Sequence, residues 1–350
     1  MELVHLKNFI KDFNPDFQSL LRKNLDNYPH PKVRQILSQI IPIAMGGKRV
    51  RPYLSYLMDS PENHATHTPI YQALELIHLF ALIHDDIMDE CDTRRGEQTI
   101  HAFAREIYQH QDATKQSRIT ESIAILAGDL IFSLAENQFF QAIQNSQTPQ
   151  TIQAYPYFNK LKEEVIYGQL LDLHLTSEQT ATQKEVYDKT FYKTASYTVI
   201  KPMQIGCLLA GNDSLLEFCH TFGEALGVAF QIQDDYINLT QPQEITGKPQ
   251  FSDVLESQKT FFTVYLQDHK DKSHWRFYQS FHAHKELTNS EQVNLFNSLQ
   301  ESGALEAGLK RFTDLYYQAE QVLIQHKDKL QTQSYEGLIE LLNYLKNRQS

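Results

Sequence analysis

The residues best placed to do chemistry are carboxylates. Asp85-Asp86-Ile87-Met88-Asp89 and Asp234-Asp235-Tyr236-Ile237-Asn238 lie in separate apolar-rich stretches with helical periodicity, and basic residues follow each. At about 3.6 residues per turn, Asp85 and Asp89 leave the same helix face, where like charges repel unless a cation joins them. Oxygen-only donors in pairs suit Mg²⁺, which is usually held by one or two carboxylates together with phosphate oxygens. Arg94 and Arg95, just past the first cluster, have the planar fork that grips phosphate in two places. Carboxylates for metal beside cations for phosphate indicate diphosphate chemistry. A solvated helix end is the plainer alternative for either cluster taken alone.

Two further groups extend the pattern. Gln231 precedes Asp234 and Asp235 by one turn on their face, where it either hydrogen-bonds within a site or is simply exposed. Downstream come Thr246-Gly247-Lys248-Pro249, Ser252-Asp253 and Lys259. Near the start, Gly46-Gly47-Lys48-Arg49-Val50-Arg51 forms a basic run. If a helix begins there, Lys48 and Arg51 share a face and the helix N-terminus adds N–H donors for an anion. The run lacks Walker-type spacing, so a nucleoside triphosphate is not implied.

Helices must position these groups. Of 350 residues 41% are hydrophobic, ample for a large core, while Gly (13) and Pro (12) are sparse and strong helix formers recur throughout. Helical patterns run over 2–26, 32–45, 69–90, 117–145, 152–176, 182–211, 214–239, 290–302, 303–330 and 334–348, with a kink expected near Thr194 to Tyr197. Gln241 to Ser252 reads as a loop, the polar stretch from Asp268 to Lys285 carries no clear pattern, and no β-alternation stands out. No linker interrupts the chain, so residues 1–350 read as one all-α domain.

The net charge of −11 argues against nucleic-acid binding; it fits an acidic metal site and plain solubility equally well. Cys91, Cys207 and Cys219 show neither disulfide nor metal-ligand spacing, which points to a reducing cytoplasm. No uncharged apolar run reaches the roughly 18 residues of a membrane span, and Glu2 and Asp12 interrupt any signal-peptide-like start. The short-spaced His64/His67 and His282/His284 have no cysteine partner or HExxH pattern and read as solvated.

The order of these motifs, from about Gly46 to Lys259, resembles the polyprenyl synthetase family, the trans-isoprenyl diphosphate synthases. Supporting elements are Glu75-Leu76-Ile77-His78, Gly128-Asp129, Gly168-Gln169-Leu170-Leu171-Asp172-Leu173 and Lys193-Thr194-Ala195-Ser196-Tyr197-Thr198, with a fainter echo at Ser302-Gly303-Ala304. The resemblance implies a bundle of roughly ten or more helices around a central cavity, a homodimer, and condensation of an allylic diphosphate with isopentenyl diphosphate. It implies that Asp85, Asp89 and Asp234 hold Mg²⁺, three ions in all, with Asp86, Asp172 and Asp235 behind them. Arg94, Lys193, Lys248 and Lys259 would bind the allylic diphosphate, with Gln231 nearby and Thr194 beside the carbocation. Gly47, Lys48, Arg51, His78 and Arg95 would bind isopentenyl diphosphate. Arg94, Lys193, Thr194 and Gln231 would thus stand closest to the reaction.

Phe80 lies five residues before Asp85, about 7.5 Å along a helix. With small Ala81 beside it, it resembles the chain-length floor of short-chain synthases, implying a C20 product with C15 close behind; an ordinary core aromatic is the alternative. Two positions depart from the family: Asn238 replaces a usual aspartate, and Phe251 stands where glycine is common, which is expected to alter the loop carrying Lys248 and Lys259. A catalytically weak partner subunit is therefore one rival. A class I terpene synthase is another, but its Asn/Asp-x-x-Ser-x-x-x-Glu pattern fails at Ile237, Asn238 and Pro242.

Overall fold

The computed structural model describes residues 3–348 except 147, 247, 248 and 283. Apart from one short ribbon, the regular elements among the described residues are helical. In chain order they begin with α1 (Val4–Leu25), α2 (Pro31–Ser38), α3 (Ile40–Met45), α4 (Val50–Met58) and α5 (His64–Met88). The ribbon of β1 (Thr93–Arg94) and antiparallel β2 (Glu97–Gln98) follows, then α6 (Ile100–Ile107), α7 (Ala113–Ser146) and α8 (Pro149–Ser177). Next come α9 (Gln183–Thr190), a π-helical segment (Phe191–Ile200), α10 (Lys201–Leu209) and α11 (Leu216–Thr240). The chain closes with α12 (Gln243–Thr246), α13 (Ser252–Leu255), α14 (Phe261–Asp268), α15 (Lys272–Gln279), α16 (Asn289–Glu301), α17 (Ala304–Gln325) and α18 (Thr332–Lys346).

These elements form two compact units. One is built from Val4–Tyr155 with Leu208–Gly211, the other from Pro156–Cys207 and the chain from Asn212 onward. In the first, α1 buries Phe9, Phe13, Phe17, Leu21 and Leu25 at four-residue steps, the stripe that a period of 3.6 requires. Helix α5 packs along α7 and buries Leu74, Ile77 and Ile83. In the second unit α11 is central, packed against α17 and the π segment, with Phe218, Phe222, Leu226 and Ala229 buried. Each such large side chain contributes about 1.5–3 kcal/mol on burial.

The π segment spans the place near Thr194 where a kink is expected. Small residues let neighbours close on it: a Cβ at Gly168 of α8 would overlap the Lys193 backbone, and one at Gly227 of α11 would overlap Ala195. Elements the sequence pattern did not mark are short: α6, α12, α13, α14 and α15, of which α12 falls within the stretch read as a loop and α15 buries Trp275 and Tyr278 inside the polar stretch. Sequence polarity there reflects the exposed faces of a helix too short to show its period. No helix among the described residues is long and apolar enough to cross a membrane.

Candidate active site

In the first unit, α5 delivers the aspartates. The Asp89 N–H donates to the Asp85 carbonyl at 2.8 Å, so the two residues are one helical turn apart at the C-terminal end of α5. Asp86 points inward and is buried, while Asp85 is partly exposed and Asp89 exposed. Behind them the ribbon turns through Arg95 and Gly96, both with positive φ. This turn brings Arg94 back, so that its Nε donates to Asp86 and its Nη2 lies 3.9 Å from Asp85. Burial pushes the Asp86 carboxyl up to about 6 despite the attraction of Arg94. A negative pair thus stands beside a guanidinium held in place by the residue between them.

The basic run before α4 differs from expectation. Helix α4 starts at Val50, so Lys48 lies in the preceding loop, exposed, and shares no helix face with Arg51. The reason is Arg49. It adopts a left-handed conformation with φ 54° and turns its side chain into the core. There Nη1 donates to Glu75 at 2.6 Å and Nε to Asn14 at 2.8 Å, with the guanidinium over the Phe17 ring. A side chain at Gly47 would collide with Arg49, Glu75 and Arg95, so the loop needs glycine there. Arg95 donates to the Ile43 carbonyl at 3.1 Å and faces His78 Nε2 at 3.4 Å. Burial, and then the charges of Arg51, Arg95, Arg94 and Arg49, push the His78 imidazole well below its ordinary value. Four guanidiniums bearing on one neutral imidazole suit an anion.

In the second unit, Asp172 of α8 is buried and receives Lys189 at 3.0 Å and Lys193 at 2.5 Å. Burial opposes its charge, but the two ammonium groups prevail and hold its carboxyl below the usual range. Thr194, on the π segment, donates to Gln231 Oε1 at 2.8 Å, and Gln231 Nε2 donates to Asp235 at 2.8 Å. Burial pushes Asp235 up to about 7, against the pull of Lys189 and Gln231. Gln231 is therefore no exposed glutamine; it links the π segment to the second aspartate cluster. Asp234 is half-exposed and accepts from Arg348 Nη2 at 2.6 Å.

The loop after α11 carries the two departures. Lys248 lies outside the described residues. Lys259 is buried, its Nζ donating to the Ser257 carbonyl at 2.9 Å. Asn238 donates to Ser252 Oγ at 2.7 Å and accepts from the Asp253 N–H at 3.3 Å, so it anchors the loop. Phe251 adopts φ 65°, the left-handed conformation that glycine favours, yet its ring is fully buried. The strain of about 1–2 kcal/mol is offset by burying a large ring.

Phe80 packs edge-on against Phe132 of α7 at 5.0 Å and His84 at 4.7 Å. His84 is in turn held by the Ile125 carbonyl at 3.0 Å over Gly128, where no side chain fits. Phe80, Ala81 and Phe132 are all partly exposed, so the ring pair borders open space rather than filling a closed core. His67 corrects the solvated reading: it is buried against Asp59 at 2.6 Å, which also accepts from Tyr71. Cys207 and Cys219, twelve residues apart in sequence, are buried with sulfurs 3.3 Å apart.

Three contributors escaped the sequence pattern. Lys189 precedes Lys193 by one turn, a spacing legible in the sequence. Arg49 sits in a run of three basic residues with nothing to mark which one turns inward, and Arg348 is separated from Asp234 by more than a hundred residues.

Among the described residues no three His, Cys, Asp or Glu side chains converge into a metal cage. Paired carboxylates at a helix end are instead what a divalent ion completed by phosphate oxygens requires. Asp234 already attracts a cation in the form of Arg348, so the donors fit a metal.

The polyprenyl synthetase model matches residues 30–298. The chain is 28% identical to a short chain isoprenyl diphosphate synthase of Methanothermobacter thermautotrophicus, covering 76% of this chain and 80% of that protein. It is 30% identical to a farnesyl diphosphate synthase of Micrococcus luteus over 85% of this chain and 94% of that protein. With a geranylgeranyl diphosphate synthase of Sulfolobus acidocaldarius identity is 32%, over 63% of this chain and 62% of the relative. In fold it is similar to a geranylgeranyl pyrophosphate synthase of Corynebacterium glutamicum solved with isoprenyl diphosphate and magnesium (TM-score 0.85, 24% identity, 99% of this chain and 100% of that chain).

Proposed function

Because the chain belongs to the polyprenyl synthetase family, we propose that it is a trans-prenyltransferase that condenses an allylic diphosphate with isopentenyl diphosphate to a short-chain prenyl diphosphate. The observation that carries this reading is the end of α5, where Asp86 pins Arg94 beside Asp85 while Asp89 follows one turn on. Metal donors and a phosphate donor are there fixed to one another before any substrate arrives, which is the preorganisation that stabilises a departing anion.

Asp85, Asp89 and Asp234 would hold magnesium, three ions in this reading. When bound it supplies charge stabilisation to the leaving pyrophosphate. Arg94 and Lys193, together with Lys248 and Lys259, bind the allylic diphosphate; Asp86 and Asp172 orient the first two. Gly47, Lys48, Arg51, His78 and Arg95 bind isopentenyl diphosphate, with Arg49 and Glu75 as the buried brace beneath the Gly47 loop. Thr194 spends its proton on Gln231, which leaves oxygen lone pairs to face a developing allylic cation. The proton lost on C–C bond formation needs no side-chain base if the released pyrophosphate accepts it.

The Phe80–Phe132 pair supports a C20 product, with C15 as the nearer alternative. The reading includes a cytoplasmic homodimer. Exposed Ile119, Leu126 and Phe140 recur at multiples of seven along α7 and thus share one face, an apolar stripe of the kind that marks association.

The test is incubation of the purified chain with Mg²⁺, isopentenyl diphosphate and a series of allylic primers. Elongated diphosphates are expected. Hydrocarbons would indicate a cyclase instead, and no turnover with any primer a partner subunit.

A further inference from the structure

Arg348 is held on three sides by one face of α11. Its guanidinium stacks over the Phe230 ring at 4.3 Å and donates to Asp234 at 2.6 Å, while its carbonyl accepts from Gln233 at 3.4 Å. Gln233 is itself fixed, because the Tyr316 hydroxyl donates to its Oε1 at 2.5 Å. Residues 230, 233 and 234 are neighbours on a helix surface, so this is a built seat rather than a chance surface pair. The Arg348 side chain is 7% exposed, against 52% for Asp234. Its Nε is buried with no hydrogen-bond acceptor, so the arginine is not fully satisfied where it sits.

A carboxylate that accepts from a guanidinium has given up one oxygen to it. We propose that Arg348 is a resident cation on Asp234 that a divalent ion must displace, so that the last turn of α18 and the residues just after it are released as the metal binds. The inference rests on the assignment of Asp234 as a metal ligand made above. Displacement is physically reasonable: the ion brings two charges and diphosphate oxygens, whereas Arg348 brings one charge and leaves a buried N–H unsatisfied. Arg348 accordingly lowers metal affinity in the substrate-free protein and ties metal loading to movement of residues 343–348.

The test uses the full chain, Mn²⁺ and inorganic pyrophosphate. Mn²⁺ binding is followed by electron paramagnetic resonance for the wild type, Arg348→Gln and Arg348→Lys. Binding to Arg348→Gln should tighten on the order of threefold to tenfold, the scale of a partly exposed charge-assisted contact, with Arg348→Lys in between. Equal or weaker binding by Arg348→Gln overturns the proposal while leaving the metal assignment intact; no Mn²⁺ binding by the wild type overturns both. Backbone hydrogen exchange of the wild type provides a reading that no variant's folding can obscure. Exchange at 343–348 should rise when Mn²⁺ and pyrophosphate are added, and unchanged or slower exchange there counts against displacement.

Discussion

The brace formed by Arg49 and Glu75 permits a prediction whose size follows from burial. Both side chains are nearly inaccessible, at 0% and 4%, and meet at 2.6 Å. Glu75→Gln keeps the shape but removes the counter-charge, leaving a buried guanidinium supported by neutral groups, Asn14, the Met45 sulfur and the Phe13 and Phe17 rings. Removing one partner of such a pair costs about 3–5 kcal/mol. Replacing both with apolar residues of similar volume, Arg49→Met with Glu75→Leu, leaves no orphaned charge and is expected to stay within about 2 kcal/mol of wild type. Urea denaturation followed by circular dichroism measures both. Since Arg49 and Glu75 also lie directly against Gly47, Glu75→Gln should raise KM for isopentenyl diphosphate about tenfold, roughly the effect of 1.4 kcal/mol, with KM for the allylic primer little changed. A single-variant loss below about 1 kcal/mol, or a double variant worse than the single, refutes the argument that the pair is a buried, mutually dependent brace.

Phe251→Gly sets backbone relief against lost packing. Removing the ring costs about 3–5 kcal/mol and relaxing the left-handed backbone returns about 1–2 kcal/mol, so a net loss near 2–3 kcal/mol is expected; a more stable variant in thermal unfolding would show that strain dominates. Phe80→Ala should lengthen the products by one or more isoprene units, and Phe132→Ala added to it should lengthen them further. Mass spectrometry that finds the wild-type product distribution in both variants removes the ring pair from the chain-length argument. His78 predicts a pH dependence. Its folded value lies well below the unfolded 6.5, so below 6.5 the unfolded chain binds the proton more readily and stability falls as pH drops through this range. The stability difference between pH 7.5 and 5.5 should therefore shrink in His78→Gln, and an unchanged difference argues that the imidazole is not screened from its proton as described.

Much of the placement of the aspartates is legible in the sequence. The spacing of Asp85 and Asp89 needs only the helical period to place both carboxylates on one face, and Gln231 is tied to Asp235 by the same arithmetic. The place where a kink is expected, near Thr194, is where the chain becomes π-helical, packed closely against Gly168 and Gly227. Boundaries fared worse where elements are short. Helix α4 begins later than the basic run suggested, since a left-handed residue at Arg49 cannot be read from a sequence in which arginine is no natural choice for that conformation.

What the chain alone determined is local: an all-helical fold, two carboxylate clusters on helix faces, and cations near them in sequence. Helical periodicity depends only on neighbouring residues, so it survives without knowledge of the rest. Which charges turn inward was decided by tertiary structure. Arg49 lies in the core because Glu75 and Asn14 meet it there; Asp172 collects two lysines from a different helical stretch; Arg348 reaches Asp234 from the far end of the described chain. Burying a charge is favourable only when its partner is already in place, and no residue carries in its own identity the address of a partner a hundred positions away.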